Sequence, residues 1–142
     1  MKYKGVVIKQ KPVILNIIPW LSDKTVQGIA PYIWVPKFMY EQITNNGLSI
    51  LHESILIHES THIKRQRQSG LLVFGIKYVF NSRFRYDEEL VAVKEQMIFL
   101  KKNKVQYDSN LKASRLSSWL YLWCIDFLTA KNDLTKMWDN SL

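Results

Sequence analysis

An α+β fold follows from three features of the sequence. β-branched, proline-punctuated runs are confined to the first 36 residues, helical apolar spacing covers almost everything after them, and one long helix, from about Ile50 to Gln68, holds all three histidines. The expected architecture is a small N-terminal sheet, antiparallel or mixed, packed on a mainly helical body with that helix at its centre. A length of 142 residues, 47% of them hydrophobic and 13% aromatic, suits one domain with one core over residues 1–142, strands to residue 36 and mainly helices from 37 to 142.

Residues 5–9 (Gly-Val-Val-Ile-Lys) and 12–18 (Pro-Val-Ile-Leu-Asn-Ile-Ile) read as two strands, with the stretch from Lys9 to Pro12 as the break between them. Pro19, Ser22, Asp23 and Gly28 mark a loop. Residues 29–36 read as a third strand bracketed by prolines, and because proline removes a ladder donor the strand is expected at a sheet edge. Residues 37–45 suit a short helix ended by Asn45-Asn46-Gly47, and Ser49 is a natural N-cap for the long helix, which Ser69-Gly70 stops. Residues 71–81 are almost continuously apolar and are expected as a buried helix. A basic connector, residues 81–86, follows, and Asp87 is expected to cap a helix from Glu88 to about Lys102. The last region, capped by Asp108 or Ser109, carries an aromatic stripe including Trp119, Trp123 and Phe127, expected as a core helix; a partner-binding or membrane-surface face is the competing reading.

The net charge of +8 favours acidic partners, but the 20 basic residues are scattered, which fits a solvated basic surface better than a dedicated nucleic-acid site. Cys124 is the only cysteine; it stands in an apolar run and reads as a small buried hydrophobe. No secretory signal and no apolar run long enough to span a bilayer is visible, so a cytoplasmic location is the default expectation, and association with a virion is compatible with it.

His58-Glu59-Ser60-Thr61-His62 is an H-E-x-x-H sequence. Histidines four apart on a helix place two imidazoles within about 40° of one another, where one metal ion can bridge them, and the intervening glutamate can reach a water on that metal. Leu51, Ile55 and Gln66 share the histidine side of the wheel, whereas Glu53, Ser60, Lys64 and Arg67 form a polar stripe roughly 170° away, so the histidines point inward. Buried imidazoles need partners, and a metal with outer acceptors supplies them. His52 lies about 120° from His58 and is expected at the surface, away from the metal. A catalytic zinc takes three protein ligands and keeps one open position. With no suitable histidine left, the third ligand is expected to be a carboxylate from Asp87-Glu88-Glu89, the first acidic residues after the motif.

H-E-x-x-H followed by Gln66, Gly70, Tyr78 and then Glu89-Leu90-Val91-Ala92 resembles the minimal gluzincins, compact zincin-like metallopeptidases, over roughly residues 29–100. The resemblance implies one Zn²⁺ held by His58, His62 and Glu89, with Glu59 as the general base. It further implies that Tyr32, Ile33, Trp34 and Val35 form a substrate-binding edge strand for a protein or peptide. Val93 stands where the family often has aspartate, and no further histidine remains to stabilise a transition state; Tyr121, on the expected last helix, and Tyr107 are the candidates for that role.

The leading expectation is therefore a zinc metallopeptidase. Two other classes compete. One is a structural or interaction protein with a peptidase-like core, such as a phage virion or assembly component, meeting a partner protein through the aromatic C-terminal helix. The other is a nucleic-acid binder with structural zinc, disfavoured because such sites usually have four protein ligands, often cysteines.

Overall fold

The computed structural model describes residues 1–12 and 25–141. It shows an α+β architecture with a small N-terminal sheet packed on helices. Strands β1 (Lys2–Tyr3), β2 (Val6–Gln10), β3 (Gln27–Ile29) and β4 (Tyr32–Val35) are ordered β1-β2-β4-β3. β1 pairs antiparallel with β2, β2 parallel with β4, and β4 antiparallel with β3, Gly28 standing opposite Ile33. Apart from Pro12, the strand expected over 12–18 lies outside the described residues, as do Pro19, Ser22 and Asp23 of the loop expected after it.

The third expected strand exists, but not at the edge. β4 is hydrogen-bonded on both sides, by β2 and by β3. The prolines that suggested an edge stand just outside it: Pro31 in the β3–β4 turn and Pro36 at the N-cap of the next helix, so neither removes a donor from the ladder. Ile33 and Val35 are fully buried beneath the helices, while Lys9 sits over the Tyr32 ring on the other face, 3.8 Å from its centroid.

Helix α1 (Lys37–Asn46) ends at Gly47, whose φ of 79° suits glycine. Ser49 caps α2 (Ile50–Ser69) as expected, its side chain accepting from His52 N–H at 3.1 Å. α3 (Leu71–Phe80) is a helix as expected, yet only Phe74 in it is buried. α4 (Ser82–Lys102) starts earlier than expected: Asn81 accepts from Phe84 N–H at 2.9 Å, so Asn81 is the cap, the basic connector is helical, and Asp87 pairs with Arg83 at 3.1 Å. The expected last helix is divided into α5 (Ser109–Leu116, capped by Asp108), a 3₁₀ turn (Trp119–Tyr121) and α6 (Phe127–Asp139, capped by Asp126). Leu122 and Trp123, at φ 53° and 46°, make the bend, which places Tyr121 on the short turn.

Two apolar clusters result. Ile8, Ile33, Val35, Met39, Leu56 and Ile63 join the sheet to α1 and α2. Tyr86, Val93, Met97, Leu116, Ala130 and Leu134 join α4 to α5 and α6, with Cys124 buried against them as expected. α2 and α4 pack directly on each other and form the seam between the clusters.

Candidate metal centre

The motif lies where α2 meets β3 and α4. The helix wheel orients it correctly: His58, Glu59, His62 and Gln66 are buried, whereas Lys64 and Arg67 are exposed. Leu51, placed by the wheel on the histidine side, stands in the first turn of α2 and is 58% exposed. His52 is half-buried in that turn and takes no part in the cluster described below.

α4 supplies the carboxylate. Glu89, 2% exposed, puts Oε2 3.4 Å from His58 Nε2 and Oε1 3.1 Å from His62 Nε2, and the two Nε2 atoms are 3.2 Å apart. Ligand atoms at ordinary zinc distances stand ~3.3–3.5 Å from one another around a tetrahedron; the two Nε2 atoms are near that spacing, and each is near it from a different oxygen of Glu89. This buried group could hold a metal ion. Glu88 points elsewhere and binds the Arg65 guanidinium in two-pronged fashion, at 2.8 and 2.6 Å, so of the two neighbouring carboxylates it is Glu89 that joins the histidines.

The fit can be tested on the lone pairs of Glu89. Tyr78 donates to Oε1 at 2.5 Å and Lys112 donates to Oε2 at 2.7 Å, and each oxygen has a second lone pair for the histidine side. The carboxylate is thus held and oriented from behind while its face stays toward the imidazoles. The expected acceptors behind the histidines are missing among the described residues: His58 Nδ1 and His62 Nδ1 are buried without a hydrogen-bond partner. Outer support is concentrated on the carboxylate.

Charges in this enclosure displace one another's titration. Burial, then the Lys112 ammonium, pushes the His58 imidazole down to about 4, against the pull of Glu89. Burial also acts to lower His62, but the carboxylates of Glu89 and Glu59 outweigh it and its pKa is raised. For Glu89 burial favours the neutral acid, and Lys112 and His62 overcome it and hold the group well below the usual carboxylate range. Burial pushes Glu59 up to about 7, with Glu89 adding to the shift and His62 and the Gly28 amide opposing it.

β3 is tied to the motif helix by side chains. Gly28 N–H donates to Glu59 Oε2 at 2.5 Å, Gln66 Nε2 donates to Gly28 O at 2.7 Å, and Ala30 N–H donates to Gln66 Oε1 at 2.8 Å. The close approach demands glycine, because a Cβ on residue 28 would fall 2.4 Å from the Glu59 carbonyl oxygen. The outward polar groups of Gly28 are therefore taken by α2. Tyr32, Ile33, Trp34 and Val35 belong to the interior strand behind it, which corrects the expectation that they form an open edge for a peptide: both sides of that strand are already paired.

Tyr121 reaches the site's outer layer from the 3₁₀ turn, accepting from Lys112 Nζ at 3.2 Å, and burial together with Glu89 raises its pKa to about 12. Tyr107 is linked to the same charges through its raised pKa, caused first by burial, but its ring stacks on Trp138. Lys112 was missed by the sequence reading. It lies 23 residues from Glu89 in a polar stretch and carries no local signal; only the packing of α5 brings it in.

No family model matches the chain, and neither a curated protein nor a solved structure matches it.

Proposed function

We propose that the chain is a gluzincin-like, zinc-dependent peptidase that hydrolyses a protein or peptide. The observation that carries this reading is the convergence of His58, His62 and Glu89, their ligand atoms within 4.8 Å of one another, beside the buried Glu59. His58, His62 and Glu89 would offer a zinc ion two imidazoles and one carboxylate, the three protein ligands usual in catalytic sites, whereas structural zinc usually takes four. A bound zinc would supply Lewis acidity toward that water and the scissile carbonyl.

The chain's own groups divide the remaining work. Glu59 takes the water proton and returns it to the leaving amine; a pKa near the working pH serves both transfers. Gly28 N–H fixes the Glu59 carboxylate by one oxygen. Tyr78 and Lys112 keep Glu89 ionised and aimed at the histidines. Because Lys112 donates to the Tyr121 oxygen, the phenol proton of Tyr121 is left to stabilise the developing oxyanion. Substrate pairing along Tyr32–Val35 forms no part of this reading, since that strand has no open side.

The test is cleavage of a broad peptide library by the zinc-loaded chain, beside Glu59→Gln with its metal content measured. The expected result is one zinc per chain in both and loss of at least ~10²-fold in rate in the variant. A zinc-loaded wild type that cleaves nothing, or a variant that cleaves at the wild-type rate, overturns the proposal.

A further inference from the structure

Helix α3 presents apolar side chains outward. Leu72 is 76% exposed, Ile76 54% and Phe80 84%, at i, i+4 and i+8, with Val73 and Val79 beside them. The inner face holds Phe74 and Tyr78, the latter bonded to Glu89, so the outer row cannot rotate inward without breaking that contact. A further exposed aromatic lies on a segment close to the end of the helix. Buried Arg85 donates to the carbonyls of Tyr78 and Val79 from one side and to Tyr121 O at 2.9 Å from the other, bringing the C-terminal end of α3 beside the 119–123 bend. Trp123 projects from that bend, 69% exposed.

The chain around α3 is basic, although Asp126, three residues from Trp123, is exposed. From His62 to Tyr86 the chain has six basic residues and no acidic one, in a protein of net charge +8. Lys64, Arg67, Lys77 and Arg83 are exposed there; the neighbouring acids Asp87 and Glu88 are each paired with an arginine, and Glu89 is buried. A row of exposed apolar side chains ending in Phe80, on a helix that carries exposed Lys77 and is flanked in the chain by exposed Lys64, Arg67 and Arg83, has the composition of a helix that lies in a lipid headgroup layer. At 10 residues α3 is about 15 Å long, half the hydrocarbon thickness of a bilayer, so it lies on the surface and does not cross.

We propose that the outer face of α3, with Trp123, docks on an anionic lipid bilayer, which sets the candidate metal centre one helix from the membrane surface. The apolar row inserts to the level of the acyl chains, and the basic side chains meet the lipid charge.

The test is co-sedimentation of the full chain with vesicles of phosphatidylcholine containing 30% phosphatidylglycerol and with vesicles of phosphatidylcholine alone. The expected result is binding to the first that weakens with added salt, and at least tenfold weaker binding to the second. Leu72→Ser/Ile76→Ser/Phe80→Ser, whose positions face solvent, is expected to keep the wild-type circular dichroism and lose at least tenfold in vesicle binding; Lys77→Glu is expected to weaken it with the apolar row intact. No binding to anionic vesicles, equal binding by a folded triple variant, or a dimer that disperses in the triple variant without any vesicle binding each overturns the proposal, the last in favour of a second copy of the chain.

Discussion

Glu89 shares two oxygens among four neighbours, His58, His62, Tyr78 and Lys112, and its ionisation depends most on Lys112. In metal-free protein Lys112→Met leaves a buried carboxylate without its countercharge and is expected to cost about 3–5 kcal/mol. With zinc present the loss is expected to be smaller, because a divalent cation takes over the ammonium's role; denaturant unfolding with zinc and with chelator measures both. Glu59 gives a pH signature of defined sign. Its folded pKa of about 7 stands above the ordinary value of 4.5, so its contribution to stability is fully present below about 4.5 and is lost as pH rises through about 7. In chelated protein the stability of wild type relative to Glu59→Gln is expected to fall across that window and to level off above it. His58, shifted the other way, is common to both chains and cancels, whereas His62, raised in part by Glu59, adds a fall of the same sign. A relative stability that stays flat across the window would show that the Glu59 pKa is not raised on folding.

Among the elements, β3 and α2 are joined so closely that residue 28 has no room for a methyl group. Gly28→Ala is expected to destabilise by about 1–3 kcal/mol and, by moving the strand, to release the Glu59 carboxylate; thermal unfolding and peptidase rate are the two readouts. Asn81→Ala, which removes the α4 cap, is expected to cost about 1 kcal/mol and leave zinc binding unchanged, since Glu89 lies two turns further along. The helices of the motif and of Glu89 were legible because spacing alone determines which side chains share a helix face. The edge assignment failed because Pro31 and Pro36 punctuate the ends of β4 and remove no bond inside it. The start of α4 was set late because Asn81 and Asp87 both qualify locally, and only the paired Arg83 shows which is free to cap. α3 is expected inside because an apolar run says nothing of how many neighbours are available to cover it; among the described elements α2 and α4 pack on it, and only Phe74 is buried. Lys112 and Gly28 depend on contacts 23 and 31 residues apart in the chain, beyond any local pattern.

For the whole molecule, zinc binding is expected to appear as stability. At a free zinc concentration of a hundred times Kd the gain is about 2.7 kcal/mol, which for a domain of this size raises Tm on the order of 10 °C. Chelator is expected to reverse the shift and His62→Ala to abolish it, both followed by calorimetry. The ligands come from either side of the seam between the sheet cluster and the C-terminal helical cluster. An ion at that seam would act as a cross-link between two folding units. Amide hydrogens of the β2–β4 sheet and of α5–α6 would then exchange through one shared opening in the loaded protein and through separate openings once the metal is stripped. The candidate metal centre would then also determine whether the chain unfolds as one body or two.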